Sequence, residues 1–317
     1  MILVKGVTKK YGKFIAVDNL SFEINDGEII GLLGPNGAGK STTMNILTGF
    51  IESTEGTVLI DGKDIMKDSK EIKKQIGYMP ENVPLYSDLT VKEFITYMCE
   101  LKYITKKEKD KEVQDILKKV NLVDVQNKLI RNLSRGYKQR VSLAGAIAGN
   151  PRILILDEPT VGMDPKQIIE IRDLIKSLAK DKTIILSSHI LSEVSQVCDK
   201  VIIINKGKLL AIDTPNNLEK LVESDNKIIV TVEDKSNKMK TLKNKYKYIY
   251  KVEQVADNND GTKQYAIYSK DSIDLRRKLF EILPKEDITI FELKKSNVSL
   301  EDAFINIINN NVEGGKK

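Results

Sequence analysis

The stretch Gly34-Pro-Asn-Gly-Ala-Gly-Lys40-Ser41 has the spacing G-x-x-x-x-G-K-[ST], with the apolar run Ile29-Ile-Gly-Leu-Leu33 before it and a helical pattern opening near Ser41. Glycines let such a loop curl until successive backbone N–H groups point inward, and the helix behind it adds the positive end of its dipole. The resulting nest suits phosphate oxygens. Its candidate contacts are Gly34, Asn36, Gly37, Ala38, Gly39, Lys40, Ser41 and Thr42. Lys40 is expected along the β- and γ-phosphates as a catalytic charge, and Ser41 is expected to place its hydroxyl on Mg2+.

A magnesium site of this kind needs an oxygen ligand at the end of a neighbouring strand, and Ile153-Leu-Ile-Leu-Asp157-Glu158-Pro159 supplies one behind an apolar anchor. Asp157 is the expected carboxylate on the metal side. Adjacent strand residues point to opposite faces, so Glu158 points differently and can orient a water as general base. A second glycine-bearing loop, Leu133-Ser134-Arg135-Gly136-Tyr137, opens a helical pattern at Lys138. Its serine hydroxyl, glycine N–H groups and helix N-terminus make another anion nest, to which Arg135 adds charge. His189 is the one histidine of the chain and follows the strand ending Leu186-Ser-Ser188.

The elements that must hold these groups follow from hydrophobic patterning. Ile29 to Leu33, Ile153 to Leu156, Thr183 to Leu186 and Val201 to Ile204 are near-continuous apolar runs, as parallel strands buried on both faces require. Weaker alternation from Thr8 to Ile24 predicts a peripheral antiparallel sheet. Between Pro84 and Gly149 charged helical periodicity takes over, with helices expected over Val91 to Leu101, Glu108 to Val120 and Lys138 to Ala148, an inserted helical lobe. From about Asn226, strands over Lys227 to Val232, Tyr246 to Val252 and Tyr265 to Ser269, with helices over Ile273 to Ile282 and Leu300 to Ile308, predict a small α+β domain. The turn chemistry of Asp213-Thr-Pro-Asn-Asn217 marks the boundary, so residues 1–217 and 218–317 are expected as separate domains. Lys243 to Lys251 alternates lysine and tyrosine at strand period, which suits one wet and one packed face; an anionic lipid or RNA surface is the alternative.

The Gly34 loop, the Asp157-Glu158 pair and the Leu133 to Tyr137 loop together resemble the nucleotide-binding subunit of ATP-binding cassette (ABC) transporters, over residues 1 to about 217. The last of these resembles the family's signature loop, L-S-G-G-Q, with Arg135 in place of a glycine and Tyr137 in place of glutamine. The resemblance implies an α/β fold of the P-loop NTPase class: a RecA-like parallel core, an antiparallel β subdomain, an inserted α-helical subdomain at about 82–149, and an α+β domain after it. It implies an ATPase using ATP and Mg2+. It further implies that Tyr11 stacks on adenine and that Ser134 and Gly136 close on the γ-phosphate held by a second cassette. Asp164, in Val161-Gly-Met-Asp164-Pro165, resembles the acidic residue of the loop that couples the two sites, and His189 the catalytic switch residue at the γ-phosphate. Glu81 stands where the family has a glutamine contacting Mg2+ and the attacking water, so added negative charge is expected beside nucleotide and metal.

The same resemblance implies partners: a second cassette, as homodimer or with a paralogue, and a separate transmembrane permease received by Glu81 and the lobe at about 82–131. A single cassette followed by an appendix ending in Ser299-Leu-Glu-Asp302-Ala-Phe304 resembles ATPases of bacterial and archaeal ABC-2-type exporters of drugs, lipids, sodium or polysaccharide. Ser299 and Asp302 also have a local reading, as the start of a helix-capping box.

Composition bounds these readings. Of 317 residues, 41% are hydrophobic and 30% charged, so the chain can bury a core; disordered and collagen-like classes are excluded. The apolar runs fall far short of the ~20 residues that span hydrocarbon. Met1-Ile-Leu-Val-Lys5 reads as a strand and not as a signal peptide. The expected location is cytoplasmic, peripheral on the cytoplasmic face of the membrane. Lysine and arginine number 51 against 45 acidic residues, a net charge of +6 too diffuse to name a partner, and nucleic acid is disfavoured. Cys99 and Cys198 lack metal-binding spacing and are expected as buried or spectator thiols. Two alternatives remain open: a soluble ABC ATPase acting on nucleic acid or ribosomes, and a weakly hydrolysing nucleotide-dependent clamp, the latter suggested by Glu81 and the altered signature.

Overall fold

The computed structural model describes residues 1–82, 84–188, 190–222, 226–234, 237–258, 260–269 and 275–295, with 301, 304, 305, 307 and 308. His189, Ser299 and Asp302 lie outside the described residues. The chain divides into two compact units, Met1–Pro215 with Ile307–Lys317, and Asn216–Asn306.

The first unit carries two sheets. Six strands form the larger, in the order Lys208–Asp213, Lys200–Asn205, Ile29–Leu33, Thr183–Ser188, Ile153–Asp157, Ile76–Met79. All neighbours in it run parallel except Lys208–Asp213, which pairs antiparallel on the edge. Every residue of Ile29–Leu33, Ile153–Asp157 and Thr183–Ser188 is buried, which explains their unbroken apolar runs. The smaller sheet is antiparallel, in the order Phe14–Ile24, Ile2–Tyr11, Glu55–Ile60, Lys63–Asp64. Its inward residues Ile2, Val4, Val17, Leu20 and Ile24 share one core with Ile30, Met44, Ile155 and Ile202.

The three inserted helices are Val91–Leu101, Lys106–Lys119 and Arg135–Ile147. Thr90 and Glu93 close a capping box that starts the first of them at the expected residue. The third begins three residues before Lys138, because Ser134 accepts a hydrogen bond from the Tyr137 N–H and so caps the helix earlier than the apolar period shows.

In the second unit four antiparallel strands lie in the order Ile249–Asp257, Lys263–Ser269, Asn226–Glu233, Thr289–Lys295. They pack with the helix Arg276–Ile282 around Val230, Val232, Tyr265, Ile267, Leu279 and Leu283. Here the expected strand over Tyr246 to Val252 is corrected. Leu242–Lys245 is a short helix closed by the Tyr246 N–H on the Leu242 carbonyl, and the strand begins at Ile249. Buried Leu242 anchors the turn, so the alternation of lysine and tyrosine belongs to a helix-to-strand junction. Of the helix expected over Leu300 to Ile308, the described residues 301, 304, 305, 307 and 308 are helical.

Candidate active site

The loop after Ile29–Leu33 leads straight into the helix Lys40–Leu47. Gly39 caps that helix at φ 103°, and a Cβ there would lie 2.5 Å from the Ala16 carbonyl, so both torsion and space require glycine. Lys40 is 8% exposed; its Nζ donates to the Gly34 carbonyl at 2.8 Å and to that of Pro35 at 3.4 Å, which draws the ammonium across the loop. Asn36 to Thr42 line one side of a cavity of about 400 Å³. Phe14 and Ala16 from the antiparallel sheet, Glu81, Glu158 and Val161 line the rest.

Asp157 ends its strand at 2% exposure and accepts from the Ser187 hydroxyl on the adjacent strand. The same Ser187 oxygen accepts the Glu158 N–H at 2.9 Å. Glu158 has φ +51°, a left-handed conformation that costs a non-glycine residue about 1 kcal/mol or more and that turns the chain where its side chain meets the cavity. Nearby, the Tyr78 hydroxyl donates to Asn45 Oδ1 at 2.9 Å. Burial first, and then the charge of Asp157, push this phenol up to about 12, so it stays a donor throughout the physiological range.

The structure thus brings Asn36 to Thr42, Glu81 and Glu158 to one cavity. Gly34 stands behind it as an acceptor for Lys40, and Asp157 is held one residue before Glu158. Ser134, Gly136 and Asp164 belong elsewhere: Ser134 caps Arg135–Ile147, and Asp164 caps the helix Pro165–Leu178 by accepting the Gln167 N–H at 2.9 Å. Tyr11 is 50% exposed under the Lys9 ammonium, 5.3 Å from its ring centroid, and it is Phe14, paired with it across the hairpin, that faces the cavity. Phe14, Tyr78 and Ser187 were not singled out from sequence. Phe14 had a signal, an aromatic three residues after Tyr11 in the same hairpin; a serine on a third strand had none.

Among the described residues no three His, Cys, Asp or Glu side chains gather as a metal cage. Ser41, Asp157 and Glu81 offer oxygen donors alone, a set that suits Mg2+ held by few protein groups together with phosphate and water.

A glycine loop between a parallel strand and a helix, with an acidic pair closing a strand two places away in the same sheet, defines a P-loop nucleoside triphosphatase. Residues 17–161 match the ABC transporter family. The chain is 35% identical over 312 residues to YhcH, an uncharacterized ABC transporter ATP-binding protein of Bacillus subtilis (strain 168), covering 95% of this chain and 94% of the relative. It is 36% identical over 310 residues to the bacitracin transport ATP-binding protein BcrA of Bacillus licheniformis, covering 97% of each. A solved dimeric post-hydrolysis state of the ATP-binding cassette MJ0796, bound to ADP and Pi, matches with TM-score 0.63 at 30% identity, over 68% of this chain and 98% of that one. The chain belongs to the ATP-binding proteins of ABC transporters. As a member of that family it is an ATPase.

Proposed function

We propose that this chain powers a membrane exporter by closing with a second cassette around ATP, while bound to a separate permease at the cytoplasmic face of the membrane. One observation carries the dimer: among the described residues, the loop Leu133 to Tyr137 contributes nothing to the cavity of its own chain. Yet the Ser134 hydroxyl, Gly136 and the helix behind them are chemistry for a phosphate. A second copy offering this loop would complete the site. No helix among the described residues is long and apolar enough to cross a membrane, so a permease on another chain is the proposed receiver of the motion. Likeness to a bacitracin transport protein over both units supports an exporter.

In this reading Lys40 and the loop amides hold the β- and γ-phosphates, and Phe14, with Tyr11 beside it, receives the base. Ser41, Asp157 and Glu81 would hold Mg2+, whose charge would offset that of the phosphate oxygens. Glu158 takes a proton from the attacking water as its oxygen bonds to the γ-phosphorus and the bond to the bridging oxygen breaks. Asp164 joins the two sites, and His189 is assigned to the γ-phosphate by resemblance.

The decisive experiment is Glu158→Gln. Turnover should fall by about 10² or more, while ATP binding survives and an ATP-bound dimer accumulates on size exclusion. Protein that stays monomeric with ATP and blocked hydrolysis, with and without membrane partner, overturns the composite site. Wild-type turnover no greater than that of the variant would leave the clamp. ATPase stimulated by RNA, with a steep loss in salt, would move the chain to the nucleic-acid reading.

A further inference from the structure

Two helices of the first unit begin side by side. Arg135–Ile147 follows the serine loop, and Pro165–Leu178 follows the segment from Glu158 to Asp164. Where they meet, each element seats a long side chain on a glycine of the other. The Arg135 side chain lies on Gly162, where an added methyl would come within 2.3 Å of Nε and 2.5 Å of Cζ; Gly162 also has φ +75°. In the opposite direction the Gln167 amide covers Gly136, where a methyl would lie 2.1 Å from Oε1. Farther along the same pair of helices, buried Arg140 binds Glu170.

We infer that Arg135 and Gln167 are positioning residues that fasten the serine loop to the Glu158–Asp164 segment of the same chain. A shift around Glu158 at one nucleotide is then passed to the serine loop offered to the other. The inference rests on the composite site proposed above and supplies the link between its halves. It also gives Arg135 a role that the glycine in the family's usual signature cannot fill, because glycine has no side chain to reach Gly162. The planar guanidinium suits a flat contact with backbone, which a lysine ammonium does not reproduce. Two contacts that share one interface act as a unit, so the loss of either should release both.

The test is a double-substitution cycle in the full-length protein: Arg135→Ala, Gln167→Ala, both together, and Arg135→Lys, each followed as turnover against ATP concentration. Each single variant should lower turnover by about tenfold and flatten a sigmoidal ATP response toward a hyperbola, and the double variant should lose the same tenfold. Arg135→Lys should behave as Arg135→Ala. Binding of a fluorescent ATP analogue at dilute protein should be unchanged, and melting temperatures should agree within about 2 °C, which sets the effect apart from general destabilisation. Losses that multiply in the double variant, full activity in Arg135→Lys, or wild-type turnover in both single variants would overturn the lock. An ATP-dependent dimer forming normally in the Glu158→Gln background would show that the composite site stands without it. Absence of that dimer in Glu158→Gln alone would remove the composite site and the relay with it.

Discussion

The hydroxyl of Ser187 serves two neighbours at once, donating to Asp157 and accepting from the Glu158 N–H, and so fixes where the acidic pair leaves its strand. Ser187→Ala leaves both groups without that partner in a buried place. It should cost about 1–3 kcal/mol of stability, read by denaturant unfolding, and lower turnover as the Glu158 turn loosens. Phe14 permits a sharper contrast. Phe14→Ala should raise the KM for ATP by about tenfold, as loss of base stacking would, while Tyr11→Ala, away from the cavity, moves it less. The thiols make a control. Burial pushes the Cys99 thiol up to about 11 and that of Cys198 higher still, so a thiol reagent at pH 8 should label neither until the chain is unfolded. The glycine loop between its strand and helix is legible in advance because the motif lies within eight consecutive residues. Ser187 is not, because it reaches the acidic pair through strand pairing that local spacing does not encode, and Phe14 offers only its place three residues after Tyr11 in one hairpin.

Among the elements, legibility tracked burial. Strands covered on both faces announce themselves by composition alone, and the period of Val91–Leu101 is enough to place that helix. Thr90→Ala removes the hydroxyl that accepts the Glu93 N–H, while its own backbone N–H still reaches the Glu93 carboxylate, and should cost about 1 kcal/mol in urea unfolding without altering ATP affinity. Ile76–Met79 is not legible as a strand: four residues containing a glycine and a tyrosine carry little pattern, and the element exists by pairing with Ile153–Asp157. The lysine-tyrosine run keeps its wet and packed faces, with Lys243, Lys245 and Lys247 exposed and Tyr246 and Tyr248 against the core, but its strand starts only at Ile249. Its period of two was real in sequence, but a buried Leu242 and a closed helical turn outweighed it.

At the scale of the whole molecule, each unit has its own hydrophobic core. Two thermal transitions should appear in calorimetry. ATP with Mg2+ at a hundredfold excess over its dissociation constant should add about 2.7 kcal/mol to the unit that binds it, raising that transition by roughly 5–10 °C and leaving the other in place. The net charge of +6 and the absence of a long apolar run were legible from composition, whereas the pairing order of the strands was not. Phe14 stands at a hairpin of the antiparallel sheet, while Lys40, Asp157 and Glu158 are anchored to the parallel one. On the proposed reading, recognition of the base and cleavage of the phosphate would be inherited on separate stretches of chain, so that a lineage could drift in its preference among nucleotides while its bond-breaking apparatus stood still.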